Sequence, residues 1–141
     1  MVALGLTAAN VPQKSTDSLA EILGDWTGES LCVGNLPSCR DEKVIYHFSK
    51  SAAGAAKLKM AADKIVDGKP EAMGDLEFQY DAAKGTLTGE FQNARYHGRW
   101  EFTVKGKTMI GTLVLLPDKT VVRRASVKKV DSPQKEFSPT P

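Results

Sequence analysis

The sequence predicts an all-β protein: an eight-stranded antiparallel up-and-down barrel with flexible N- and C-terminal arms. About eight short segments alternate apolar and polar residues with a period of two, which is the period of a half-buried strand. Short turns join them, and no stretch is long enough for a helical crossover between parallel strands. Glycines within these segments, at Gly28, Gly89 and Gly111, favour a closed barrel, whose strands must coil sharply or approach one another closely. A sandwich with the glycines at bulges is the open alternative.

The predicted strands follow one another at nearly even spacing along the chain. The apolar positions of the first six are Trp26 and Gly28; Val44, Tyr46 and Phe48; Leu58, Met60 and Ala62; Leu76, Phe78 and Tyr80; Leu87, Gly89 and Phe91; and Trp100, Phe102 and Val104. Residues 109–116 are apolar on both faces, and residues 120–130 complete the series. Turn residues at 67–68 and 105–107 predict tight hairpins, because Asp-Gly and Lys-Gly-Lys suit the positive φ angles of short β-turns.

The chain of 141 residues divides into one domain and two arms. Residues 1–18 are expected to be a flexible N-terminal arm, whose apolar start resembles the last part of a signal peptide. Residues 19–130 are the barrel domain. They begin either with a single helical turn that plugs one mouth of the barrel or with a non-helical apolar lead-in. Residues 131–141, rich in proline and polar residues, are expected to be a disordered tail.

Composition argues against several classes of partner. Nineteen basic and seventeen acidic side chains give a net charge of +2, too even to attract nucleic acid or an anionic membrane strongly. No apolar stretch approaches the ~20 residues of a membrane-spanning helix. The two histidines, His47 and His97, do not stand at metal-ligand spacing from a cysteine. We therefore expect neither a metal, a cofactor, a nucleic-acid partner nor a membrane span. The oligomeric state is left open.

The two cysteines indicate the compartment. Cys32 and Cys39 enclose a segment with several turn-forming residues, so the loop can double back and bring the sulfur atoms to bonding distance. A disulfide here predicts a periplasmic or secreted protein, because such bonds persist in oxidising compartments. The alternative is two reduced, half-buried thiols.

A short motif adds a family resemblance. Gly24-Asp25-Trp26 opens the strand series, and Arg123 stands on the last strand with Val121, Ala125 and Val127 at the same parity. With the lead-in before it and the eight-strand series after it, this pattern resembles a lipocalin or, more broadly, a calycin. The resemblance implies structural roles for Trp26 and Arg123, with the arginine packed over the tryptophan ring at the closed end of the barrel.

The resemblance also implies a function, the binding of a small hydrophobic or aromatic molecule inside the barrel. If Trp26 points inward, the aromatic residues of the same parity do so as well. The candidate ligand-binding residues are Tyr46, Phe48, Phe78, Tyr80, Phe91, Trp100 and Phe102. An eight-stranded barrel is just wide enough to hold one small ligand or to be filled by its own side chains. Either outcome fits this set of aromatic residues.

Catalysis has little support in the sequence, so no enzymatic activity is expected. The acids Asp41 and Glu42 are adjacent, as solvated surface acids usually are, and His47 has outward parity. The competing interpretation is a protein-docking barrel with a filled core. Such a protein would resemble small periplasmic inhibitors of secreted metalloproteases, whose flexible N-terminal arm enters the protease cleft. Residues 10–18 would be that arm in this chain.

Overall fold

The computed structural model describes residues 19–131, so the predicted arms, residues 1–18 and 131–141, lie outside the described residues except for Asp131. Eight strands follow a helical turn at residues 19–22. They are β1 (Gly24–Cys32), β2 (Glu42–Lys50), β3 (Lys57–Val66), β4 (Lys69–Asp81), β5 (Thr86–Gln92), β6 (His97–Lys105), β7 (Thr108–Leu115) and β8 (Thr120–Lys129). Each strand pairs antiparallel with the next, and β8 pairs with β1. The predicted all-β, up-and-down barrel is confirmed, and the sandwich alternative is wrong.

Closure of the barrel depends on a close approach at Gly28. This residue of β1 lies opposite Val127 of β8. A Cβ atom at Gly28 would lie 1.9 Å from the backbone oxygen of Ser126. Because only a hydrogen occupies that position, the first and last strands can approach closely enough to pair.

The interior is packed at the end of the barrel that carries Trp26, which we call the Trp26 end. Trp26 is fully buried, and its indole Nε1 donates a hydrogen bond of 2.9 Å to the carbonyl oxygen of Ile22 in the helical turn. Ile22 is itself buried, so the turn covers this end of the barrel. Of the two predicted forms of the lead-in, the helical turn is the one observed.

Strands β3 and β4 form the longest hairpin of the barrel, with ten residue pairs, and only residues 79–81 of β4 pair with β5. Residues 67 and 68 form the two-residue turn that the sequence predicts, with φ angles of 53° and 80°. The outer part of β4, residues 69–75, is exposed along its whole length. A register shift between Ala62 and Asp63 lies within this hairpin, whose first strand stays paired with β2 as far as Lys64.

The wall is thinnest between β4 and β5. Only the pairs Gln79–Thr88, Tyr80–Leu87 and Asp81–Thr86 join these strands. By comparison, eight residue pairs join β6 and β7. We call this short contact the β4–β5 seam, and it lies towards the Trp26 end. Beyond Gln79 and Thr88, towards the opposite end, the two strands are not paired.

Candidate functional site

The seven predicted aromatic residues divide between two halves of the barrel. Phe48, Phe78 and Phe102 are buried at the Trp26 end. The ring of Phe78 lies 6.1 Å from that of Phe48 and 5.7 Å from that of Phe102, centre to centre. Tyr80 is buried nearby and lines a depression of about 650 Å³ together with Leu19 and Ala55. The structure therefore places these four residues in or beside a filled core.

The other three, Tyr46, Phe91 and Trp100, come together around a pocket of about 490 Å³ in the opposite half. Further apolar lining comes from Met60, Ala62, Met73, Leu76 and Leu113. Trp100 stacks on Phe102, with ring centres 5.3 Å apart and planes 8° from parallel. Because Trp100 is only partly buried and lines the pocket, its second face is left to that space. The aromatic core is thus packed at the Trp26 end, with the depression beside Tyr80 at its edge, and the opposite half, which we call the hollow half, carries the pocket.

The pocket borders the divergent part of β4 and β5. Its rim includes Met73, Gly74 and Asp75 of β4, and Gln92 and Asn93 at the end of β5. These segments are not paired with each other, since pairing stops at Gln79–Thr88. The hollow half is therefore also the half whose wall is incomplete.

A polar group forms one wall of the pocket, and Arg123 is its centre. The Arg123 Nη1 donates hydrogen bonds to the backbone oxygen of Ser30 at 3.3 Å and to its Oγ at 2.9 Å. The Nη2 donates to the backbone oxygen of Arg40 at 2.8 Å and lies 3.6 Å from Glu42 Oε2. The Arg123 and Glu42 side chains are only 16% and 20% exposed, so solvent screens this ion pair poorly.

Tyr46 completes the polar wall. Burial raises the pKa of its hydroxyl well above the ordinary value of 10.0, and the negative charge of Glu42 adds to the effect. The positive charge of Arg123 and a hydrogen bond with the Ser30 side chain act in the opposite direction but are weaker. The Tyr46 hydroxyl is therefore neutral and protonated at any physiological pH.

The predicted stacking of Arg123 on Trp26 is wrong. Arg123 lies opposite Cys32 in the barrel, whereas Lys129 lies opposite Trp26. Six residues of extended strand separate the two positions, a distance of roughly 20 Å. Lys129 takes the predicted place: its Nζ lies 5.6 Å from the centre of the Trp26 ring and donates a hydrogen bond to the carbonyl oxygen of Glu21. Lys129 has the same parity as Arg123, so the alternation along β8 is equally compatible with either residue beside Trp26.

The Cys32–Cys39 disulfide is confirmed, with an S–S distance of 2.07 Å. Asp41 secures the base of the same loop, because its Oδ1 accepts a hydrogen bond of 2.8 Å from the backbone N–H of Cys32. Leu36 and Cys39 of the loop line a smaller pocket of about 180 Å³, which shares Phe91 and Arg123 with the larger one. The loop therefore lies against the hollow half of the barrel.

His47 lies on the outer face, as its parity predicts. Its Nδ1 is 2.7 Å from Asp25 Oδ1, and its Nε2 is 3.0 Å from Asp63 Oδ2. These two hydrogen bonds, that of Asp25 first, raise the pKa of His47 above 6.5. The trio bridges three neighbouring strands on the outer face and does not line the pocket.

Within residues 19–131, no three His, Cys, Asp or Glu side chains are arranged to hold a metal ion. In the same part of the chain, no helix has the length and apolar character that crossing a membrane requires.

Comparison with known proteins supports the fold. No family model matches the chain, and no curated protein matches it. Among solved structures, a variant of the fluorescent protein UnaG matches with a TM-score of 0.52 and 10% identity, over 81% of this chain and 99% of that chain. Rv2717c from M. tuberculosis matches with a TM-score of 0.52 and 13% identity, over 86% of this chain and 99% of that chain. Together with the closed topology, these similarities show a lipocalin/calycin-like barrel.

Proposed function

We propose that this calycin-like barrel binds a small apolar or aromatic molecule non-covalently, in the half that its own side chains leave unfilled. The observation that carries the proposal is the pocket of about 490 Å³, lined by Tyr46, Phe91 and Trp100. Ligand sites typically have volumes of about 300–1,000 Å³, mostly apolar walls and a few convergent polar groups. The packed aromatic residues of the Trp26 end supply the rigid floor on which such a site depends.

The proposal is of a binding protein without enzymatic activity, acting in the periplasm or outside the cell. The disulfide between Cys32 and Cys39 supports the compartment, because oxidising conditions preserve such bonds. The one histidine held between two carboxylates, His47, is on the outer face of the wall and does not line the pocket.

Two measurements test the proposal directly. Native mass spectrometry of protein purified gently from its source is expected to show an added mass. A thermal-shift screen with fatty acids, retinoids, quinones and haem is expected to find a compound that raises the melting temperature with concentration, because a ligand of the folded state stabilises it by mass action. An absence of both adduct and shift contradicts the proposal.

Matched variants locate the binding. Ala62→Phe places a ring in the pocket and is expected to abolish the thermal shift, whereas Ala55→Phe places the same ring in the depression near Tyr80 and is expected to preserve it. Ligand binding is also expected to quench the fluorescence of Trp100 and not that of Trp26, which is buried at the other end. Quenching that survives Trp100→Phe would place the ligand elsewhere.

A further inference from the structure

We propose that the pocket selects a neutral molecule with a hydrogen-bond acceptor, such as a ketone, quinone or amide carbonyl, whose oxygen accepts the hydroxyl hydrogen of Tyr46. The inference rests on the proposed function and names the chemical class of its ligand. Two features of the polar wall lead to it: the direction of the hydrogen bonds between Arg123, Ser30 and Tyr46, and the pairing of Arg123 with Glu42.

The first feature is a relay of donors that ends at the pocket. Arg123 donates to the Ser30 Oγ, so the Ser30 hydroxyl is free to donate its own hydrogen onward. Ser30 and Tyr46 line the same pocket, so the Ser30 hydroxyl is placed to donate towards the phenolic oxygen. The phenolic hydrogen of Tyr46 is then available to a molecule in the pocket, which Tyr46 lines.

A hydroxyl placed in this way is a good donor. Each group in the relay polarises the next, and a buried site strengthens the electrostatic part of each hydrogen bond. An acceptor on a ligand therefore gains a hydrogen bond from this hydroxyl in a site that is shielded from water. A ligand that presents an oxygen or nitrogen lone pair to the Tyr46 hydroxyl is therefore expected to bind more tightly.

The second feature is the absence of excess positive charge. The Glu42 carboxylate lies 3.6 Å from the Arg123 guanidinium, and both side chains are mostly buried. The Arg123 Nη atoms also donate to the backbone oxygens of Ser30 and Arg40. Because Glu42 already neutralises the charge of Arg123, a ligand carboxylate would gain little attraction from Arg123 and would be repelled by Glu42. A neutral acceptor is therefore favoured over an anion.

The test uses three naphthalene derivatives of the same shape, carrying an acetyl, an ethyl or a carboxylate group. Affinities come from quenching of Trp100 fluorescence and from calorimetry at neutral pH. We expect the acetyl compound to bind about 5- to 10-fold more tightly than the ethyl compound, the gain of one neutral hydrogen bond. The carboxylate compound is expected to bind most weakly.

Two variants and a control assign these differences to atoms. Tyr46→Phe removes only the hydroxyl and is expected to reduce acetyl binding to the level of ethyl binding. Tyr80→Phe is the control, because Tyr80 lies beside the filled core and is expected to leave the preference unchanged. Glu42→Gln removes the compensating charge and is expected to strengthen carboxylate binding several-fold. Melting curves verify that each variant is folded.

The outcomes separate the inference from the proposed function. Equal binding of the acetyl and ethyl compounds, an acetyl preference that survives Tyr46→Phe, or tightest binding by the carboxylate compound each overturns the inference and leaves a ligand-binding barrel. Failure of all three compounds to bind also overturns it, and the broader ligand panel then decides the proposed function independently.

Discussion

Replacement of Gly28 by alanine tests how the barrel closes. The added Cβ would lie 1.9 Å from the Ser126 oxygen, whereas real Cβ contacts essentially never fall below 3.0 Å. Strands β1 and β8 must therefore separate by about 1 Å, because a backbone oxygen cannot rotate away as a side chain can. We expect a loss of about 3 kcal/mol, the upper part of the usual range for overpacking, and a melting temperature lower by about 10 °C.

The control for this prediction is Gly54→Ala. A Cβ at Gly54 would meet only the flexible side chain of Lys57, at 3.6 Å, so it fits without strain. Its expected effect is under about 1 kcal/mol in either direction. Thermal and urea unfolding measure both variants, and hydrogen exchange of β1 and β8 reports whether the seam between them has loosened. A Gly28→Ala protein that melts within about 2 °C of the parent, with unchanged exchange, would refute the argument.

Two further predictions concern the outer face and the Trp26 end. Because the folded-state pKa of His47 is raised, its contribution to stability is complete below pH 6.5 and is lost as the pH rises through the folded-state pKa. Since the His47 side chain is 39% exposed, that contribution should be at most about 1 kcal/mol. The free energy of unfolding should therefore fall less between pH 6 and pH 9 in His47→Gln than in the parent, by up to this amount. A double-mutant cycle of Trp26→Leu with Lys129→Met should give a coupling of at least about 0.5 kcal/mol, whereas the cycle with Arg123→Met should be additive. The reverse ranking would contradict the observed register.

Most of the fold could be predicted from the sequence because alternation and turn chemistry are local signals. The turn at residues 67–68 illustrates this, since Asp-Gly is suited to its positive φ angles. The extension of β4 beyond its pairing with β5 could not be predicted in the same way. Residues 69–75 are exposed on both faces, so they carry no alternation of apolar and polar side chains.

The site was predicted only in part, because parity indicates which side of the wall a residue faces and not how far along the barrel it lies. Phe48 and Trp100 both belong to the predicted inward set, yet one fills the core and the other lines the pocket. The error over Arg123 has the same origin, since alternate residues of β8 share a face while spanning the whole barrel. Register between distant strands is set by tertiary packing and is not readable from one strand.

The β4–β5 seam gives the barrel a preferred line of opening. Local unfolding starts where few hydrogen bonds and few buried contacts hold the chain, and three residue pairs join this seam. The rim of the pocket lies along the same line, at Met73 and Gln92. A molecule held in the pocket can therefore leave sideways between the unpaired parts of β4 and β5, while the seam and the packed floor around Trp26 stay intact. Its residence time would then depend on how often the unpaired parts of β4 and β5 move apart, and hardly at all on the free energy of unfolding of the whole barrel.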